Sequence, residues 1–244
     1  VRRFYLPGGP EGGEALLRGQ ERDHLVKVLR LGPGDEVALF DGRGGEWLAR
    51  VAAVDPAAVR LEVVSELRGG AEPAFELWLA QALLKGKKAD WLVQKACELG
   101  VRRLTFVSSE HAVARGPAAE NAAARLARWR RICAEALKQC RGCLLPEIDG
   151  PRPLAGLLKE PFEGARFILH EAEGMGLSEA VAGAGKVRRA QLVVGPEGGL
   201  SQAEVELARG VGFAVVRLGA RVLRAETAAL AVSAALLYAA GELG

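Results

Sequence analysis

Four cysteines and three histidines are thinly spread through 244 residues, which removes several classes of protein at once. Cys140 and Cys143 form one Cys-x-x-Cys pair, but no second pair follows, and His24, His111 and His170 lie far off in sequence. A structural zinc site wants four such ligands together, so no metal is expected. A disulfide framework belongs to shorter secreted chains, so the four thiols read as buried or incidental, with Cys97 and Cys133 on helical patterns. No opening apolar run resembles a signal peptide. The longest near-apolar stretch, Ala228 to Gly241, falls short of the roughly 20 residues of a membrane span. A cytoplasmic protein without a membrane partner is the expectation. A Walker A lysine and the G-x-G-x-x-G spacing are also missing, which argues against nucleotide hydrolysis.

What is present is ordinary for a globular protein: 50% hydrophobic residues and 26% charged. The net charge of +3 conceals an uneven distribution. Residues 1–68 carry 10 basic and 11 acidic side chains, and residues 161–244 carry 8 and 9. Between them, residues 69–160 hold 15 basic against 10 acidic. The excess gathers in Lys85, Lys87 and Lys88, then in Arg125, Arg128, Arg130, Arg131, Lys138 and Arg141. Clustered cations suit a polyanion, although a solvated helix face would look the same.

The first 70 residues read as a small β-barrel or sandwich. Glu36–Phe40 and Glu46–Ala53 are strand-like, and the glycine-rich Asp41–Gly45 between them is a hairpin loop. Val59–Val64 alternates with period two, and Asp23–Arg30 reads as a short helix. Arg68 to Pro73 is a plausible linker. From Phe75 onward, strands at 76–81, 104–107, 166–170, 191–194 and 214–218 alternate with helices, the pattern of a parallel α/β domain. Asp90 is a candidate N-cap for a helix ending at Gly100, and a long helix from about Ala118 to Cys140 carries the arginines. Two domains follow, 1–70 and 71–244.

Two segments near the C-terminus carry the chemistry. In Gln191–Ser201 an apolar strand runs into Gly195-Pro-Glu197-Gly198-Gly199-Leu200, then into the capping-box pattern Ser201-Gln-Ala-Glu204. The glycines permit close approach to a ligand. Glu197 repels phosphate, so a neutral or cationic ligand held by backbone groups fits better than a polyphosphate. In Val215–Thr227 a strand leads into Gly219, and Arg221, Arg224 and Glu226 crowd the start of an almost wholly apolar helix. A helix without a polar face must be buried nearly all round, against the sheet and a second subunit. Charges at its mouth need partners or a task; an ordinary Arg–Glu ion pair is the structural alternative.

Gly195-Pro-Glu-Gly-Gly-Leu-Ser201 followed by Leu218-Gly-x-Arg221-Val-Leu-Arg224-x-Glu226-Thr227 closely resembles the RsmE group of SPOUT RNA methyltransferases. The His24-Leu-x-x-Val-Leu-Arg30 and Gly34–Gly42 segments resemble that group's PUA-like N-terminal domain. Lys85-Gly-x-Lys88, Gln94-Lys95, Glu98-Leu-Gly100 and Ser109-Glu110 resemble its central region. The likeness spans nearly the whole chain. It departs from the group near Lys138–Cys143, where an acidic residue usually precedes the glutamine.

The resemblance implies a SPOUT α/β fold with a deep trefoil knot, joined to a small PUA-like barrel. It implies S-adenosyl-L-methionine as cofactor, a homodimer, and methylation of uridine N3 in 16S ribosomal RNA, in the assembled 30S subunit. Carried onto this chain, the cofactor residues are Leu169, His170, Glu171, Val194, Gly195, Glu197, Gly198, Gly199, Leu200, Leu218, Gly219, Leu223, Arg224 and Thr227. Arg224 and Glu226 are the catalytic candidates: Arg224 to hold a phosphate or the uracil oxygens, Glu226 to orient it or accept the N3 proton. RNA contacts are expected from Arg2, Arg3, His24, Arg30, Lys85, Lys88, Arg128, Arg131 and Arg141. A catalytically silent RNA-binding module and a SPOUT enzyme methylating a tRNA ribose remain the alternatives.

Overall fold

The computed structural model describes residues 1–67, 73–112 and 119–243. The chain divides into two compact units, Val1–Glu72 with Ala134–Leu145, and Pro73–Cys133 with Pro146–Gly244. The expected linker at 68–72 lies outside the described residues.

The first unit is a five-stranded sheet. Its strands are β1 (Arg2–Tyr5), β2 (Glu14–Arg18), β3 (Glu36–Phe40), β4 (Glu46–Val54) and β5 (Ala58–Leu67), in the order β1-β3-β4-β5-β2. Only β1 and β3 run parallel; the other neighbours are antiparallel. Successive side chains of a strand point to opposite faces, which sends Leu17, Val37, Leu39, Val51, Val59 and Leu61 into one core with Phe4. The Asp41–Gly45 loop closes as the sequence suggests. The Asp41 carboxylate accepts from the backbone N–H of Arg43 at 2.7 Å and of Gly45 at 3.0 Å. The expected helix over 23–30 takes a different form. A short helix α1 (Gly19–Asp23) passes into a π-helical turn at His24–Val28. There the Leu29 N–H reaches back five residues to the His24 carbonyl at 3.0 Å, while Leu25 is fully buried in the core.

The second unit is a seven-stranded sheet, parallel throughout. Its strands are β6 (Glu76–Ala82), β7 (Arg103–Ser108), β8 (Glu147–Pro153), β9 (Ala165–Leu169), β10 (Met175–Gly176), β11 (Arg189–Val194) and β12 (Ala214–Arg217). The order is β10-β12-β9-β11-β6-β7-β8. Central strands covered on both faces read as continuous apolar runs; Leu192, Val193 and Val194 are all buried. Strand β8 was not legible, because Gly150, Pro151 and Pro153 break the pattern. Its position at the sheet edge tolerates them.

The described residues hold six more helices, α2 (Lys88–Glu98), α3 (Ala119–Cys140), α4 (Leu154–Leu158), α5 (Leu177–Ala184), α6 (Gln202–Gly210) and α7 (Ala225–Ala239); all belong to the second unit except the last part of α3, from Ala134, which belongs to the first. Helix α2 ends as expected at Gly100, at φ 80°, whose N–H bonds Cys97 O at 3.0 Å while Val101 N–H bonds Ala96 O at 3.0 Å. Asp90 does not cap it. The helix begins at Lys88, and the Asp90 carboxylate is taken by Arg128 and by the Trp129 indole N–H at 3.1 Å. Trp129 is buried and stacks on Phe106 with ring centroids 4.2 Å apart. Helix α6 starts with the expected capping box between Ser201 and Glu204. Helix α7 is less enclosed than its composition demands. Ala225, Ala229, Val232, Leu236 and Leu237 are buried, whereas Thr227, Ala231 and Tyr238 (70% exposed) face outward.

Candidate active site

Parallel strands release their loops at one edge of the sheet, and ligands of such sheets bind there. The loops that follow β9, β11 and β12 enclose a cavity of about 580 Å³, within the range of small-molecule cofactor sites. Leu169, His170 and Glu171 line it from β9, residues 194–200 from β11, and Leu218 with residues 221–225 from β12. Lys88, His111 and Ala228 complete the wall.

Local chemistry fixes each loop. The Gly199 N–H bonds Pro196 O at 3.0 Å, closing a turn that puts Gly199 at φ 74°. A Cβ on Gly195 would stand 2.9 Å from Leu200 Cγ and 3.3 Å from the Gly199 carbonyl carbon, so the loop folds back on itself only over glycine. Beneath it, the wholly buried Gln81 donates its amide to Gly195 O at 3.0 Å. In the neighbouring loop the His170 N–H bonds Val216 O at 3.0 Å, and His170 Nδ1 accepts from the Glu173 N–H at 3.1 Å. A neutral His170 ring therefore carries its proton on Nε2.

One cation of this wall sits between two carboxylates, one on the wall and one beside it. Lys88 Nζ lies 2.9 Å from Glu197 Oε1 and 3.5 Å from Glu226 Oε1. The hydrogen bond to Glu197 raises the proton affinity of Lys88, against a smaller opposing effect of burial. Burial alone would push the Glu197 carboxyl up. The bonds from Lys88 and from backbone N–H groups, its own and that of Lys85, together outweigh it and hold Glu197 below its ordinary value. The second oxygen of Glu226 is buried without a hydrogen-bond partner.

Twelve of the fourteen expected cofactor residues stand on this wall; Gly219 and Thr227 do not. Arg224 lines the cavity at the N-cap of α7, exposed. Glu226 lies off the wall, in the first turn of α7, and among the described residues no ion pair joins it to Arg221 or Arg224. The ordinary Arg–Glu pair considered from sequence is therefore not the arrangement found. Gln81, His111 and Ala228 had no sequence signal, since only the folded sheet brings them to the loops, whereas Val222 lies within the Leu218–Thr227 segment.

The residues expected at RNA divide by environment. In the first unit Arg2, Arg30 and Arg141 are exposed, and His24 is half-buried against Phe4 at 5.9 Å between ring centroids. Arg3 differs, its side chain only 7% exposed. It pairs with Glu46 at 3.0 Å, donates to Gly142 O at 3.0 Å and lies over the Phe40 ring. Lys138 is likewise engaged, with Glu21 at 2.6 Å and Glu135 at 2.7 Å. In the second unit Lys85 and Arg131 are exposed, Arg128 is paired with Asp90, and Lys88 belongs to the cavity wall. The described residues contain no group of three or more His, Cys, Asp or Glu placed to hold a metal ion. No described helix is long and apolar enough to cross a membrane.

A family model described as an RNA methyltransferase domain matches residues 71–237, and one described as an RNA methyltransferase PUA domain matches residues 17–64. Among solved structures, the chain is similar to a putative methyltransferase from Legionella pneumophila in complex with the bound cofactor SAM. The identity there is 32%, the TM-score 0.89, and the match covers 98% of each chain. It is also similar to a ribosomal RNA small subunit methyltransferase E from Neisseria gonorrhoeae bound to S-adenosyl methionine. That match has 33% identity and a TM-score of 0.87 over 97% of each chain. A ribosomal RNA small subunit methyltransferase E of Mycobacterium bovis is 31% identical, over 93% of this chain and 87% of that protein.

Proposed function

This chain belongs to the RNA methyltransferase family, and we propose that it transfers the methyl group of S-adenosylmethionine to N3 of a specific uridine in small-subunit ribosomal RNA. The observation that carries the reading is the single cavity formed by the loops after β9, β11 and β12. Its chemistry fits the cofactor. Leu169, Leu200, Leu218 and Leu223 offer apolar surface for a purine, peptide groups of three loops offer hydrogen bonds, and Glu197 suits a cation better than a polyphosphate. Relatives alike over 97% or more of the chain carry that cofactor.

When bound, S-adenosylmethionine supplies an electrophilic methyl group on a sulfonium centre. The protein's part is to hold the uracil ring in line with it, and such positioning supplies much of the rate. Uridine N3 is mostly protonated near neutral pH, so its proton must pass to water or a nearby base as the N3–methyl bond forms and the sulfur–methyl bond breaks, and a positive group that stabilises the uracil anion lowers the barrier. Arg224, exposed on the wall and without an ion pair among the described residues, takes that role toward the uracil oxygens or a neighbouring phosphate. Glu226, off the wall, contributes by fixing its neighbours. Exposed Arg2, Arg30 and Arg141 of the first unit, with His24, and Lys85 and Arg131 of the second, grip RNA.

The knot is part of this proposal. The last strand, β12, lies between β10 and β9 instead of at the edge, and three loops converge on one cavity, as a SPOUT trefoil knot requires. A second copy covers the outward face of α7, where Tyr238 stands exposed. The protein acts in the cytoplasm on the assembled 30S subunit.

The test is mass mapping of 16S rRNA after 30S subunits lacking the modification are incubated with protein and cofactor. One methyl group on a uracil base is expected. A methyl on ribose, or none on the RNA, overturns the reading.

A further inference from the structure

The end of β6 and the segment that follows it brace the loop that leaves β11. Gln81 Nε2 bonds Gly195 O at 3.0 Å, the Lys85 N–H approaches Glu197 Oε1 at 3.4 Å, and Lys88 Nζ bonds the same oxygen at 2.9 Å. The same ammonium reaches Glu226 Oε1 at 3.5 Å, at the start of the helix that follows the third cavity loop. One lysine at the beginning of α2 thus ties together two of the three chain segments that wall the cavity. Its neighbours Lys85 and Lys87 are exposed, as a run of RNA-binding cations would be, but Lys88 is turned inward and half-buried.

We propose that Lys88 is a positioning residue of the cofactor site, a clasp that holds Glu197 and Glu226 together, and not an RNA contact. The proposal rests on the reading of the cavity as an S-adenosylmethionine site. Two carboxylates beside the cavity repel each other and would push the β11 loop and the α7 N-terminus apart. An ammonium between them removes that repulsion and fixes the spacing. The clasp leaves the group with one net negative charge, tolerable beside a sulfonium cation. It also accounts for Glu226 standing off the wall: its effect passes through Lys88 to Glu197, not to Arg224.

The experiment is a double-mutant cycle on full-length protein, reading S-adenosylmethionine affinity by calorimetry with melting temperature beside it. Lys88→Met weakens the cofactor by about tenfold, as expected for a partly exposed charge-assisted contact. Lys88→Arg restores most of the affinity, and Lys87→Met leaves it unchanged. Glu197→Gln alone also weakens binding. Added to Lys88→Met it costs far less than the product of the two single effects, because the contact is already gone. Affinity for short 16S-derived RNA changes less than twofold in Lys88→Met. Equal cofactor affinity in wild type and Lys88→Met, independent effects in the cycle, or a tenfold loss of RNA affinity each overturn the clasp. Wild-type protein that fails to bind the cofactor overturns the underlying functional reading instead.

Discussion

The side-chain amide of Gln81, wholly buried at the end of β6, donates to the carbonyl oxygen of Gly195 at 3.0 Å. The same nitrogen approaches Ala82 O at 3.2 Å and Val194 O at 3.4 Å, so one amide stitches two adjacent parallel strands where they end. A buried carbonyl that loses its donor costs about 1–3 kcal/mol. Gln81→Leu should lower the melting temperature and weaken S-adenosylmethionine about tenfold by calorimetry. Unchanged affinity would show that the Gly195 turn holds itself.

Gly195→Ala tests the turn from the other side. The new methyl group meets Leu200 Cγ at 2.9 Å and Gly199 backbone at 3.3 Å, so the loop must open. Overpacking of this kind costs about 1–3 kcal/mol, and cofactor affinity should fall by at least about tenfold. Gly210→Ala, where a Cβ meets nothing within 4 Å, serves as control and should bind as wild type does.

Arg224→Ala should separate binding from transfer. Its side chain is exposed at the N-cap of α7, and its backbone carbonyl accepts from the Ala228 N–H at 2.8 Å whatever the side chain. Folding and cofactor affinity should stay within about twofold of wild type, while methyl transfer to 30S subunits falls by about a hundredfold or more. Full turnover in a folded Arg224→Ala protein removes the arginine from the mechanism.

Arg3→Ala should act on stability before it acts on RNA. The guanidinium is buried against Glu46 and the Phe40 ring, and its loss leaves Glu46 with little exposure and, among the described residues, no paired cation. Breaking such a pair costs about 3–5 kcal/mol. Denaturant unfolding of the first unit should show that loss. Arg2→Ala, at an exposed position, should leave the unfolding curve in place and weaken RNA binding.

Much of the architecture could be read in one dimension. Period-two alternation in β5 and apolar runs in β9, β11 and β12 report burial on one or both faces, which side-chain geometry imposes locally. The Ser201–Glu204 box and the glycine after α2 are equally local, because the bonds they make span only a few residues. Strands β1 and β2 carry little local signal, because both are short, Pro7, Gly8 and Gly9 follow β1, and Gly13 and Gly19 flank β2. Strand β8 carries no local signal, because its prolines are tolerable only at an edge, and edges are a property of the whole sheet.

The sequence by itself determined that two glycine-bearing loops follow parallel strands and carry Glu197, Arg224 and Glu226, since strand, turn and helix signals act over a few residues. Only the tertiary structure decided which charges meet. It turned Lys88 inward to two carboxylates, buried Arg3 against Glu46, and gave Asp90 to Arg128 and Trp129. Charge pairing depends on distances across tens or hundreds of residues of chain, and no local pattern records them.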